Sequence, residues 1–170
     1  MTTSDKNSAD PLRAGSGHLE QSAPDDESRN VEKPAAEKPR VLVVDDETFN
    51  LDTFQRVFRK HFQIFTATSA RAALRELETQ QIDVALLDYA MPSMNGVALL
   101  HAAVSLQPAV TYFMMTAHAD AQEVRDTVKA GLSYGIIMKP WNRDEVLRWV
   151  ANGHRLSLLR RSVKDMKRSI

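Results

Sequence analysis

Three carboxylates, a hydroxyl and an ammonium group are spread along this chain, yet they share one property. Asp45 and Asp46, Asp88, Thr116 and Lys139 each follow directly on a short, mainly apolar run, at 41–44, 84–87, 110–115 and 135–138. Brought together, the carboxylates would repel, and a hard cation with oxygen ligands is the usual remedy. Mg²⁺ suits such a set best, because it needs only one or two carboxylates and keeps waters that phosphoryl oxygens can replace. Lys139 would add a compact positive charge and Thr116 a hydroxyl donor. The set forms a cradle able to neutralise charge on a phosphoryl group moving onto Asp88, where catalysis is mostly positioning and electrostatics. Singly, each residue reads more plainly: a solvated acid ending a strand, a strand-capping threonine, an exposed loop lysine before Pro140.

What could bring them together is the order of elements. The runs at 41–44 and 84–87 have the continuous apolar pattern of strands buried on both faces of a parallel sheet. Between them, Phe49, Thr53, Phe54, Val57, Phe58 and Phe62 recur at helical spacing, and these aromatics are read as core. Residues 64–68 form a second short strand, and Ser69 caps a helix carrying Ala72, Ala73, Leu74 and Leu77. After Asp88, Pro92, Asn95 and Gly96 mark a loop before a helix that runs to Leu106, with Pro108 at its exit. A helix over 120–130 closes at Gly131, and a last helix starts near Asn142. Five strand and helix pairs in strict alternation predict an α/β fold: a doubly wound five-stranded parallel sheet with right-handed crossovers. In the order 2-1-3-4-5 the first and third strands flank the switch point, so Asp45, Asp46 and Asp88 would share one crevice with Thr116 and Lys139 beside it.

Four segments then carry a specific resemblance: VLVVDDE (41–47), LLDYAMPSMNG (86–96), MTA (115–117) and KPW (139–141). In this order and close to this spacing over about residues 40–152, the chain resembles the receiver domain of two-component response regulators, with their flavodoxin-like fold. The resemblance implies that Asp88 is the phosphoacceptor, taking phosphoryl from a sensor histidine kinase or a histidine phosphotransfer protein. It implies that Asp46, Asp88 and the backbone carbonyl of Ala90 bind Mg²⁺, that Asp45 assists through water, and that Thr116 and Lys139 contact the phosphoryl group, with a cis bond before Pro140. The family's response is an inward movement of the threonine and the loop after it, which alters the surface of the fourth helix, fifth strand and fifth helix. It is a switch of protein contacts, not an enzyme beyond assisting its own phosphorylation and dephosphorylation. Departures are local. The usual aromatic three residues before the lysine is Ile136, Tyr134 falls two residues early, Ala90 offers no side chain, and His118 holds a position that tunes hydrolysis in the family. The expectation is a switch that works without a ring at 136, Tyr134 being the alternative, and His118 is read as a surface residue.

Composition bounds the rest. The 170 residues carry 22 basic and 22 acidic side chains and no Cys, which excludes disulfides and thiolate chemistry and argues for no global attraction to nucleic acid. Charge is uneven: residues 1–39 have net −3, 40–153 net −2 and 154–170 net +5. Residues 1–39, poor in large apolar side chains, are expected to be a disordered N-terminal tail, 40–152 the receiver domain, and 153–170 a basic helical extension of the last helix. No stretch has the length of a spanning helix and no signal core is present, so a cytoplasmic location is expected. Trp149, Asn152, Leu156, Leu159, Val163, Met166 and Ile170 form a heptad seam that predicts a coiled-coil or other helix partner through 149–170. A parallel self-pair would set Arg155 near Arg160 of the other copy, so an antiparallel homodimer or an acidic partner helix fits better. No DNA-binding module is visible. The leading expectation is a stand-alone regulator acting on a downstream protein partner. A phosphorelay intermediate, or a scaffold acting through the last helix without phosphorylation, are the alternatives.

Overall fold

The computed structural model describes residues 37–92, 95–118 and 120–169; most of the expected N-terminal tail lies outside them. Strands and helices alternate: β1 (Arg40–Val44), α1 (Thr48–Phe58), β2 (Gln63–Ala67), α2 (Ala70–Thr79), β3 (Val84–Asp88), α3 (Gly96–Leu106), β4 (Thr111–Thr116), α4 (Gln122–Lys129), β5 (Gly135–Met138) and α5 (Arg143–Arg168). All pairings are parallel and the order is β2-β1-β3-β4-β5, as the sequence predicts. Short polar residues stop and start the helices where expected. Ser69, Asn95 and Asn142 accept from the first-turn amides of α2, α3 and α5, and Gly131 takes a positive φ of 71° after α4. Among the described residues no helix is long and apolar enough to cross a membrane.

Alternation along the strands divides the core into two layers. Leu42, Val44, Ala85, Leu87, Tyr112 and Met114 face α2, α3 and α4. Val41, Val43, Val84, Leu86, Phe113, Met115 and Ile137 face α1 and α5. Phe54 and Phe58 of α1 and Phe62 after it are buried and in ring contact, Phe58 stacked on Phe62 and tilted against Phe54, with Trp141 against the first two. Phe49 does not belong with them. It is 76% exposed in the first turn, on a different face of α1 from the buried Leu51, Phe54 and Phe58, and lines a groove with Pro140 and Trp141.

The last helix also departs from expectation. Its first half is not a seam without a core to cover, because its buried line is Val146, Val150, Gly153 and Ser157. Trp149 packs against Phe113 and Tyr134, and Asn152 is exposed. At Gly153 the helix lies close against the sheet: a Cβ there would stand 3.0 Å from Phe113, 3.1 Å from Val84 and 3.3 Å from Thr111. The Thr111 hydroxyl donates to the Gly153 carbonyl at 2.9 Å. Further on, Arg160 donates to the Val110 carbonyl at 3.1 Å, and Arg161 pairs with the buried Asp83 carboxylate at 2.6 Å and donates to the Ile82 carbonyl. Asp83 also accepts the Arg40 amide at 2.8 Å, so α5 is clamped to the starts of β1, β3 and β4. Leu158 and Leu159 before the clamp, and Val163 and Met166 after it, remain exposed.

A side chain at Gly153 would wedge this helix off the sheet. Gly153→Leu is expected to lower stability to urea by about 1–3 kcal/mol, the usual scale of overpacking. Asn152→Leu, one residue away on the exposed side, should leave the midpoint nearly unchanged.

Candidate functional site

The phase of each strand decides which side chains meet. Asp45 continues the face of Val41 and Val43, Asp88 that of Val84 and Leu86, and Lys139 that of Ile137, so all three emerge on the α1 and α5 side of one sheet edge. Thr116 continues the phase of Tyr112 and Met114 and emerges on the other side. In register, Val44 stands opposite Leu87, Asp88 opposite Met115 and Thr116 opposite Met138, which brings the ends of four strands level.

Lys139 is the centre of the group. Its Nζ lies 2.7 Å from Asp45 Oδ2 and 3.0 Å from Asp88 Oδ1, and its amide donates to the Thr116 carbonyl at 2.8 Å. The Lys139–Pro140 bond is cis. Asp45 is buried and fully employed: its Oδ1 accepts the Glu47 amide at 2.9 Å, and the Asn50 side-chain amide reaches both oxygens at 3.2 and 3.1 Å. Asp46, next to it, is exposed. One oxygen from each of Asp45, Asp46 and Asp88 falls within 4.8 Å of the others, a hard-donor set of the kind that holds Mg²⁺.

A cleft of about 640 Å³ opens over this edge, lined by Asp46, Asp88, Ala90, Lys139 and His118 among others. Thr116 is not among its lining residues. Its hydroxyl accepts the His118 amide at 3.0 Å and faces the His118 carbonyl at 3.4 Å. The loop that carries Ala90 is braced from beneath. Asn95 caps α3 through the Ala98 amide at 2.9 Å, and the Gly96 amide donates to the Tyr89 carbonyl. A Cβ on Gly96 would lie 2.1 Å from the Asp88 carbonyl oxygen, so only glycine lets α3 begin this close to the phosphoacceptor candidate.

Burial raises the pKa of Asp88 above the ordinary 3.8; the hydrogen bond and charge of Lys139 oppose this, while Asp45 adds to it. For Lys139 burial works downward, but hydrogen bonds to Asp45 and Asp88 and their charges outweigh it, and its pKa is raised. The ammonium form is thus held in place by the two acids it bridges.

Sequence reasoning named each of the groups that meet here but missed their supports. Asn50 was hidden inside a helical pattern, where its only signal is a poor helix former in the first turn. Glu123 of α4, which accepts the Tyr89 hydroxyl at 3.2 Å and lies 3.5 Å from the Asn95 amide, has no local signature at all. Tyr134 is edge-on to Phe113 and Trp149 on the α5 side, whereas Ile136 packs into the layer of α2, α3 and α4.

The raised pKa of Asp88 has a direct consequence for stability. A group whose pKa rises on folding adds stability below its unfolded value and loses it as pH climbs through the folded value. In metal-free buffer at pH 7, Asp88→Asn is therefore expected to unfold at higher denaturant than wild type. The gain should shrink as the pH falls toward the carboxylate range, and a denaturation series with EDTA between neutral and acid pH measures it.

The profile of the response regulator receiver domain matches residues 41–151. The hydrogenase transcriptional regulatory protein HoxA of Cupriavidus necator is 32% identical over 107 residues, 63% of this chain and 22% of HoxA. The transcriptional regulatory protein ZraR of Escherichia coli is 32% identical over 108 residues, 62% of this chain and 24% of ZraR. The chain thus spans about a quarter of the length of these relatives. Among solved structures, a CheY-like receiver domain protein from Methanospirillum hungatei superposes with a TM-score of 0.65 at 28% identity, over 71% of this chain and 96% of that one. An adenylate cyclase structure from Rhodopirellula baltica shares the fold at a TM-score of 0.74 and 24% identity, over 78% and 99%. With the profile running from the first strand into the fifth helix, over a sheet of this order and an acidic cleft at its switch point, the chain belongs to the response regulator receiver-domain family.

Proposed function

We propose that Asp88 accepts a phosphoryl group from the phosphohistidine of a sensor histidine kinase or a histidine phosphotransfer protein, and that the modified receiver changes its protein contacts. The observation that carries this reading is Lys139 bridging Asp45 and Asp88 at the floor of an open cleft, with Asp46 at its mouth. An Asp88 oxygen attacks phosphorus, the P–N bond breaks, and its electron pair returns to the imidazole. Asp46 and Asp88, with the Ala90 backbone carbonyl, would hold Mg²⁺, and Asp45 would assist through water. Bound there, a divalent cation supplies neutralisation of the phosphoryl oxygens. Lys139 needs no recruitment, since it already contacts Asp88, and its ammonium pairs with the arriving group. The other chain groups are positioning residues: Glu47 and Asn50 hold Asp45 still, and Gly96 keeps the Asp88 backbone close to α3.

The phosphoryl group adds about −1.5 to −2 charge. The Thr116 hydroxyl is the donor nearest in the strand order, and reaching the new charge requires it to leave His118. The loop after β4 then follows, and with it the start of α4. With Ile136 packed in the core and Tyr134 held by Phe113 and Trp149, this response runs without an aromatic ring at 136. Rapid return of the phosphoryl group to a phosphotransfer protein would favour the relay reading, and a long-lived adduct the direct switch.

Mass spectrometry after acetyl phosphate with Mg²⁺ is expected to find one phosphoryl group on wild type and none on Asp88→Ala; equal labelling of both rejects the assignment, and no labelling of either favours the scaffold reading. The exposed stripe of α5 is the surface for a helix partner or second copy. Replacing Leu159 and Met166 by Glu should lower the apparent mass on sizing in the presence of beryllofluoride without affecting phosphorylation. An unchanged mass dismisses that surface.

A further inference from the structure

The peptide of Ala90 has two tasks at the acidic edge. Its amide hydrogen-bonds to the Asp88 carboxylate, and its carbonyl is the one proposed metal ligand that no side chain supplies. Ala90 is exposed, and its methyl group cannot fix that carbonyl. Its neighbour can. The Tyr89 amide donates to the Met115 carbonyl at 2.9 Å, and the Tyr89 carbonyl accepts the Gly96 amide at 2.9 Å. The ring packs, half-buried, against the layer of α2, α3 and α4, and its hydroxyl donates to Glu123 Oε2 at 3.2 Å. The Asn95 side-chain amide lies 3.5 Å from the same oxygen. Both ends of the loop that carries Ala90 therefore meet one carboxylate of α4.

An acid in the first turn of a helix ordinarily opposes the helix dipole, a role that needs charge but no particular partner. Glu123 stands in that turn, yet its carboxylate is turned to Tyr89 and Asn95 of another loop, while the N-cap residue Ala121 makes no side-chain cap bond. Such an arrangement fixes a position. Position matters to Mg²⁺, which demands near-ideal octahedral geometry at about 2.0–2.1 Å, so that a displaced carbonyl is a poorer ligand.

We infer that Glu123 is a positioning residue for the divalent ion: through the Tyr89 hydroxyl it fixes the Ala90 peptide, and an ion on that carbonyl holds the first turn of α4 in return. The inference rests on the reading that Asp46, Asp88 and the Ala90 carbonyl hold Mg²⁺. The return effect is required by linkage, because a tie that strengthens ion binding is strengthened by the ion to the same degree. It makes α4 responsive to metal loading alone, by a route separate from Thr116.

Titration of the ¹⁵N-labelled full-length protein with MgCl₂, followed at the amides of Ala90 and Val124, tests both directions. In wild type the two amides should report one dissociation constant. The Val124 amide, which is bonded to the Ala121 carbonyl, should also exchange more slowly with solvent as Mg²⁺ is added. Tyr89→Phe removes only the hydroxyl and leaves α4 unaltered; it should weaken Mg²⁺ about 3- to 10-fold and abolish the slowing at Val124. Glu123→Ala should do the same, and the double variant should be no worse than either alone. Glu123→Gln keeps an acceptor and discards the charge, and should stay within about twofold of wild type. Wild-type affinity in Tyr89→Phe, a Gln variant as weak as the Ala one, or an additive double variant overturns the inference and leaves the metal site standing. No Mg²⁺ shift in wild type, or undiminished binding by Asp46→Asn, overturns the metal reading and this inference with it.

Discussion

The contact on which the rest depends is the ammonium of Lys139 set between the carboxylates of Asp45 and Asp88. Two carboxylates within 4.8 Å of one another repel by roughly 3–4 kcal/mol at an effective dielectric of about 20. Three such acids at one strand edge would consume a large part of a domain's net stability of about 5–15 kcal/mol. The cluster persists because a cation lies within hydrogen-bond reach of two of its members, and because Asp46 remains in water where its charge is screened. A site built on opposed charges in this way depends on the balance between them, and removing or adding a charge changes that balance.

The sheet delivers these groups, and it does so through phase. Asp45, Asp88 and Lys139 share one face because each is an even number of residues from the α1- and α5-facing core positions of its strand, and the parallel register levels their ends. Thr116 is out of phase with them and starts in the keeping of His118. Its hydroxyl and the Asp88 carboxylate consequently leave the sheet on opposite faces. Gly96 and Asn95 hold the loop after Asp88 tight against α3, while Tyr89 and Asn95 tie it to Glu123 of α4. The loop after the acidic edge and the start of α4 are thus joined by side chains.

At the other edge a second polar arrangement orients α5. Asp83, buried at the foot of β3, collects the Arg40 amide and the Arg161 guanidinium. Charge-assisted bonds of this kind are the stronger hydrogen bonds of a protein. They keep α5 on the sheet for more than half its length, while Leu159, Val163 and Met166 stay uncovered. The receiver domain thus has an acidic cleft at one end of its strands and, at the other, the basic end of a long helix.

Much of this was legible in the chain alone, because it is encoded locally. Four apolar runs stop at chemically useful residues, the helices between them are capped by Ser69, Asn95 and Asn142, and their alternation admits few topologies. The identity of the acidic cluster followed from those run ends. What the chain could not state by itself is which surface each amphipathic residue would find. Phe49 falls at helical spacing with Thr53 and Val57, but Leu51, Phe54 and Phe58 form the buried line of α1, and Phe49, five residues before Phe54 and so about 140° round the helix, stays in solvent. Of the heptad on α5 only Leu159, Val163 and Met166 form an exposed stripe, Trp149 being packed in the fold and Ile170 lying outside the described residues, and the small residues Gly153 and Ser157 bring the helix backbone close to β3 and β4. Asn50, Glu123 and the partner of Thr116 came only with the tertiary structure. Their roles rest on distances between elements far apart in sequence, and a one-dimensional pattern records periodicity, not the register and phase that set those distances.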